Sequence, residues 1–226
     1  SKKMLEKVFN LGFPSALQMF FEVAIFTAAI WLSGVLGKNP QAANQIALNV
    51  SSMTFMVAMG FGVAAMIRVG NQKGLKRFDE LRRIAFSIFL LSTILAVLFA
   101  ILFFIFHQSL PNLYLNYDNP LEAIDNAEVA NTAATLLLIA AVFQISDTVQ
   151  VVTLGALRGM QDVKLPTLIT FIAYWVVGFP VMYYLGLFTD YGSAGIWMGL
   201  LAGLTVSGIL LSWRFHVLSK KLISSN

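Results

Sequence analysis

The sequence predicts an all-α membrane protein of six transmembrane helices, and three observations carry that prediction. Of 226 residues, 58% are hydrophobic and only 12% charged, with a mean hydropathy of +0.77; a soluble domain carries about 25% charged residues. The apolar residues gather in six runs, at about 11–36, 43–69, 84–106, 129–157, 165–188 and 193–215. Each is long enough to cross a hydrocarbon core of roughly 30 Å as a helix rising about 1.5 Å per residue. Lys and Arg then alternate sides: fourteen of fifteen fall before the first run, at or beyond the ends of runs on that same side, or after the last run, and Lys38 alone falls on the other side.

The first run, Leu11 to Leu36, holds Glu22 as its only ionisable residue. A carboxylate at that depth costs several kcal/mol, and roughly 2.5–3.5 for Asp on the more modest scales. A chain that keeps one uses it for ion or proton handling, or keeps it neutral as a tie between helices. Pro14 removes a helical hydrogen bond in the same run and invites a kink. Gly37-Lys38-Asn39-Pro40 is short and turn-rich, which makes the first two helices a hairpin.

The second run carries Gln45, Asn49 and Ser52 at i, i+4 and i+7, a polar stripe on an otherwise apolar helix. Such residues also act as interhelical glue, at about 0.6 kcal/mol per contact, and that reading stands beside a cavity-lining one. The connector from Asn71 to Arg83 holds five Lys or Arg. It reads as a topology determinant and an anionic-lipid contact, and nothing in it points to nucleic acid. The loop from His107 to Glu128 is the longest and holds Asp118, Glu122, Asp125 and Glu128 without a single Lys or Arg.

The fourth run contains Asp147, the only other carboxylate inside a span. Glu22 lies about 16 Å along its helix from one membrane face and Asp147 about 15 Å from the same face on a helix running the opposite way. The two acids therefore sit at matching depth. Gln18 is one turn from Glu22, and Gln144 and Gln150 flank Asp147 at i−3 and i+3. No Lys or Arg in the membrane interior neutralises them, Arg68 and Arg214 standing at run ends, so a proton or a metal cation is the expected balancing charge. All-oxygen ligands suit a hard monovalent cation such as sodium. The fifth run holds Tyr174, expected near the same cavity, and Pro180, a second candidate kink; Gly199 and Gly203 in the sixth form a small-xxx-small packing pair.

An excess of Lys and Arg marks the cytoplasmic side, which places both termini in the cytoplasm. There is no cysteine, so disulfides and thiolate metal sites are excluded. Beginning Ser1-Lys2-Lys3 with no cleavable signal pattern, the chain reads as a piece of a longer polypeptide.

Several motifs resemble one family in order and spacing. Gly12-Phe13-Pro14 with Phe20-Phe21-Glu22 resembles the seventh helix of multidrug and toxic compound extrusion (MATE) transporters. Ala43-Asn44-Gln45-Ile46-Ala47-Leu48-Asn49 and the ending Ile67-Arg68-Val69-Gly70-Asn71 resemble the eighth. Phe143-Gln144-Ile145-Ser146-Asp147, followed by Gly155-Ala156-Leu157-Arg158-Gly159 and Asp162, is similar to the tenth, and Ala173 to Pro180 to the eleventh. The resemblance implies one lobe, the C-terminal one, of a twelve-helix two-lobe transporter, with the N-terminal six-helix lobe as its partner. It further implies antiport in the cell (inner) membrane: sodium or protons enter while small amphipathic, often cationic organic compounds leave, with no other cofactor and no enzymatic step. On that resemblance Glu22 and Asp147 are the cation-coupling acids, with sodium as the possible metal. Gln45 is then a polar residue of the substrate cavity, and Asp125 lies in a loop that approaches bound drug. Here the loop ahead of Asp125 departs from the family pattern, being longer and carrying Asn126 where a second acid is expected.

Other classes fit less well. A serine intramembrane protease needs a Ser and His within reach, but His107 and His216 lie at span ends. An aspartyl protease needs two acids about 3 Å apart sharing a proton. A lipid-linked precursor flippase lobe wants basic residues in its cavity, where this sequence places acids.

Overall fold

The apolar runs become helices because a bilayer offers no water to backbone N–H and C=O groups, so each spanning segment must satisfy its own. The computed structural model describes residues 1–225 and contains six long helices, with no strand among those residues. They are α1 (Lys2–Leu36), α2 (Lys38–Gly74), α3 (Phe78–Phe106), α4 (Ala123–Gly159), α5 (Lys164–Leu187) and α6 (Ser193–Ser224). Five of them overrun the apolar stretch that announced them, because the charged residues at their ends keep helical geometry while reaching toward water. Large apolar side chains cover the outside, among them Phe20, Trp31, Leu90, Phe104 and Ile209. That is the surface of a multi-pass membrane protein.

α4 is the central helix, packed along α2, α3 and α6, whereas α1 leans chiefly on α5 and α2. The α2–α4 contact is close because glycines face each other: a Cβ on Gly155 would fall on the Gly62 carbonyl, and Gly70 sits against Gly159. Gly199 and Gly203 do the same for α6 against α5, meeting Met182 and Ala173 respectively, so this pair packs as expected.

The α1–α2 hairpin turns on Gly37 at φ 134°, a conformation that side-chain-bearing residues rarely adopt. α2 and α4 end alike, with Lys76 and Gln161 in the left-handed region. Beyond them the Arg77 N–H donates to the Gln72 carbonyl and the Asp162 N–H to the Leu157 carbonyl, both at 3.0 Å. Asp162 then accepts from Arg214 of α6 at 2.7 Å, and Lys73 of α2 donates to the Met160 carbonyl. These bonds lock α2, α4 and α6 together at one membrane face.

The two prolines behave differently. α1 continues through Pro14, whose carbonyl accepts from Thr167 Oγ1 of α5 at 2.8 Å. α5 instead widens into a π-helix over Ile172–Gly178, directly ahead of Pro180. The wider turn relieves the collision between the proline ring and the carbonyl four residues back. Elsewhere buried hydroxyls donate within their own helix, as Ser33, Thr148 and Thr170 do to the preceding turn at 2.7–2.8 Å.

Candidate functional site

Glu22 on α1 and Asp147 on α4 are both drawn into the interior of the lobe. Asp147 is 4% exposed, and the buried Oε1 of Glu22 and Oδ1 of Asp147 have no hydrogen-bond partner. The carboxylates lie within electrostatic range of one another, and Tyr174 lies within range of both. Tyr174 comes from the π-helical stretch of α5 and is 1% exposed; its hydroxyl donates to Gln150 Oε1 at 2.5 Å. Gln150 Nε2 also has no partner, and Ser207 of α6 lies beside the Tyr174 hydroxyl. Buried polar atoms are nearly always satisfied, so an orphaned oxygen on each of the two acids marks a place built to receive a proton or cation.

The acid pair is flanked on both sides along the helices. Toward the face where α2, α4 and α6 are locked, Gln18 donates to Glu22 Oε2 at 3.1 Å, and Arg158 donates to Gln18 Oε1 at 2.6 Å. Toward the other face Phe26 of α1 meets Phe143 of α4 edge-on, centroids 6.0 Å apart. Phe143 in turn meets Trp197 of α6, whose indole N–H donates to the buried Asn44 Oδ1 at 2.9 Å. No group of three or more His, Cys, Asp or Glu converges among the described residues. The donor set is therefore two carboxylates with amide and hydroxyl oxygens, suited to a proton or a hard monovalent cation.

The other site residues proposed from sequence scatter. Gln144 and Gln150 flank Asp147 three residues to either side, which on a helix sets them about 120° apart. Gln150 turns into the pocket, while Gln144 turns to α3 and donates to the Ala96 carbonyl. Gln45, Asn49 and Ser52 lie on the exposed face of α2, outside the pocket, where Asn49 Oδ1 accepts from Tyr114 at 3.4 Å. Asp125 is exposed at one end of α4 and, with Glu128, accepts from Asn39 of the α1–α2 hairpin at 3.3 and 3.0 Å.

Arg158 corrects the expectation of an interior without a base. It sits at the very end of α4, where sequence counts it as a topology charge, but it reaches back to Gln18. Asn44, Trp197 and Ser207 are further residues that pattern reading passes over. Asn44 lies next to Gln45, and a step of one residue turns it about 100° from the exposed face into the core.

The family model described as MatE matches residues 14–184. The chain belongs to the MatE family. The matched stretch contains Gln18, Glu22, Asp147, Gln150, Arg158 and Tyr174, the polar residues around the acid pair. Among curated relatives, the multidrug resistance protein NorM of Aliivibrio fischeri is 40% identical over 218 residues, which are 94% of this chain and 45% of that protein. The multidrug resistance protein MdtK of Proteus mirabilis is 40% identical over 215 residues, 93% of this chain and 45% of that protein. This MatE chain thus spans about half the length of the curated relatives it matches. The fold matches solved structures to the same extent: a crystal structure of MATE in the bent conformation aligns at TM-score 0.86 and 15% identity, over all of this chain and 48% of that one.

Proposed function

We propose that this chain is the C-terminal half of a cation-coupled multidrug efflux antiporter of the cell membrane. In this reading its partner is an N-terminal six-helix lobe, and its substrates are small amphipathic, often cationic organic compounds. Both termini are cytoplasmic. The observation that carries the reading is the enclosed pair of Glu22 and Asp147, each with an unpartnered buried oxygen. Two buried carboxylates within electrostatic range of one another repel, and a bound sodium ion or proton relieves that repulsion. The pocket therefore favours different helix arrangements when loaded and empty, which is what coupling requires.

The residues divide the labour. Glu22 and Asp147 hold the cation, while Gln150 and Tyr174 supply further oxygens from α4 and α5. The exposed stripe of Gln45, Asn49 and Ser52 on α2 faces away from this pocket and lines the drug path between lobes, with Asp125 near its rim. Cation and drug thus occupy separate places and communicate through α2 and α4, whose glycine-lined contact transmits movement as one body. Efflux of a fluorescent organic cation from vesicles, driven by an imposed sodium or proton gradient, tests the activity.

Orientation has its own test. Single cysteines in place of Lys38, Asn119 and Asp190 should react with an impermeant thiol reagent from outside intact cells, and ones in place of Lys76 and Gln161 should not. Labelling at Lys76 from outside would reverse the assignment of faces.

A further inference from the structure

Away from α1 and α2, the helices α3, α4 and α6 enclose a groove of about 430 Å³ lined by Phe86, Phe89, Val152, Trp213, Phe215 and His216, among others. Three aromatic rings form its wall, with Phe89 and Phe215 edge-on at 5.2 Å and Phe86 and Phe215 at 6.3 Å. It runs roughly 10 Å along α3, from Phe86 to Thr93, and the surface it presents is mostly apolar, with the small hydroxyls of Ser92, Thr93, Thr153 and Ser212 between the rings.

One end of the groove is basic. The Arg82 guanidinium lies 4.9 Å from the centre of the Phe86 ring and donates to His216 Nδ1 at 2.9 Å and Ser219 Oγ at 3.0 Å. These contacts hold it at the mouth, and with five N–H donors it retains some that point elsewhere. Arg82 also borders a shallower basin with Lys220 and Lys221. The carboxylates that form ion pairs are engaged elsewhere, Glu80 with Arg83 and Asp162 with Arg214. Arg82, Lys220 and Lys221 have no carboxylate partner among the described residues. A basic patch next to an apolar groove, joined to it by Arg82 against Phe86 and His216, has the charge and polarity pattern of one lipid molecule.

We propose that the groove between α3, α4 and α6 binds one anionic phospholipid, its phosphate at Arg82, Lys220 and Lys221 and an acyl chain along Phe86, Phe89 and Phe215. A neutral lipid lacks the net charge that the mouth attracts, and a free anion lacks the chain that the groove holds. The site lies on the far side of α4 from the paired carboxylates, so it does not depend on the cation-coupling reading.

Trp213 lines the groove and is 62% exposed, which makes it a reporter. The full-length protein is reconstituted in phosphatidylcholine containing a small fraction of either phosphatidylglycerol or phosphatidylcholine with brominated acyl chains. Quenching of Trp213 is the difference between the parent and Trp213→Phe. Brominated phosphatidylglycerol should quench at a several-fold lower mole fraction than brominated phosphatidylcholine. That preference should fall roughly fivefold for each basic residue removed, the attraction one Lys or Arg adds near an anionic lipid. Arg82→Ser tests the mouth directly. Lys220→Ser with Lys221→Ser changes only exposed positions and leaves packing untouched. Equal quenching by the two lipids overturns the proposal, as does full preference in the double lysine variant. Displacement of the brominated lipid by inorganic phosphate would also overturn it, by showing that the mouth takes a free anion.

Discussion

Glu22→Gln and Asp147→Asn, each made in the full-length protein, are expected to reduce gradient-driven efflux to the background of a protein-free membrane, a loss of about 100-fold or more. Both substitutions keep the shape of the side chain and remove its capacity to carry a charge. Gln18 donates to Glu22 Oε2, and a glutamine at position 22 still offers an oxygen to it. Asp147 Oδ1 has no partner to lose. Folding should therefore stay within about 1 kcal/mol of the parent, the size of one net hydrogen bond. Thermal unfolding in detergent and the efflux assay, run on the same preparations, separate the two effects. Wild-type efflux from either variant would show that the acids only tie helices together.

The second large effect is on stability. Gly155→Val places a branched side chain where even a Cβ collides with the Gly62 carbonyl, and a backbone atom cannot move aside as a flexible side chain can. α2 and α4 must separate, which loosens the contact on which the rest of the lobe is built. The expected cost exceeds the about 1–3 kcal/mol of ordinary overpacking, enough to leave little folded protein in the membrane. Gly60→Ala is the control: nothing lies within 4 Å of the position a Cβ would take there. It should express and unfold like the parent. Equal yields of the two variants would mean that α2 and α4 are further apart than described.

The fold was legible because hydrophobic length is a coarse signal that tertiary context does not alter. Six runs gave six helices, and errors were confined to their ends, where charged residues such as Lys2–Lys7 and Lys220–Lys221 continue the helix beyond the apolar core. Position along each helix was likewise readable, since rise per residue is fixed. Rotation about the helix axis was not. Gln144 and Gln150 look equivalent around Asp147 in sequence, but one bonds α3 and the other Tyr174. Asn44 and Gln45 are neighbours in one motif, yet one is 0% exposed and the other faces out. Which side of a helix meets which neighbour depends on pairings such as Gly62 with Gly155 that no single helix encodes. Arg158 was misread for another reason: its backbone is at the membrane face, but its long side chain extends back toward Gln18.

The central claim is that Glu22 and Asp147 form one shared cation site rather than two independent acids. A hydrophobic carbodiimide, which modifies protonated carboxyl groups in membranes, reads this directly when mass spectrometry localises the label. Modification of Asp147 is followed against pH and against sodium concentration in the full-length protein and in its Glu22→Gln variant. Two interacting acids titrate as a pair, so removing the charge of Glu22 should displace the Asp147 profile by about one pH unit, or about tenfold in sodium. Superimposable Asp147 profiles from the parent and the Glu22→Gln variant would contradict a shared site.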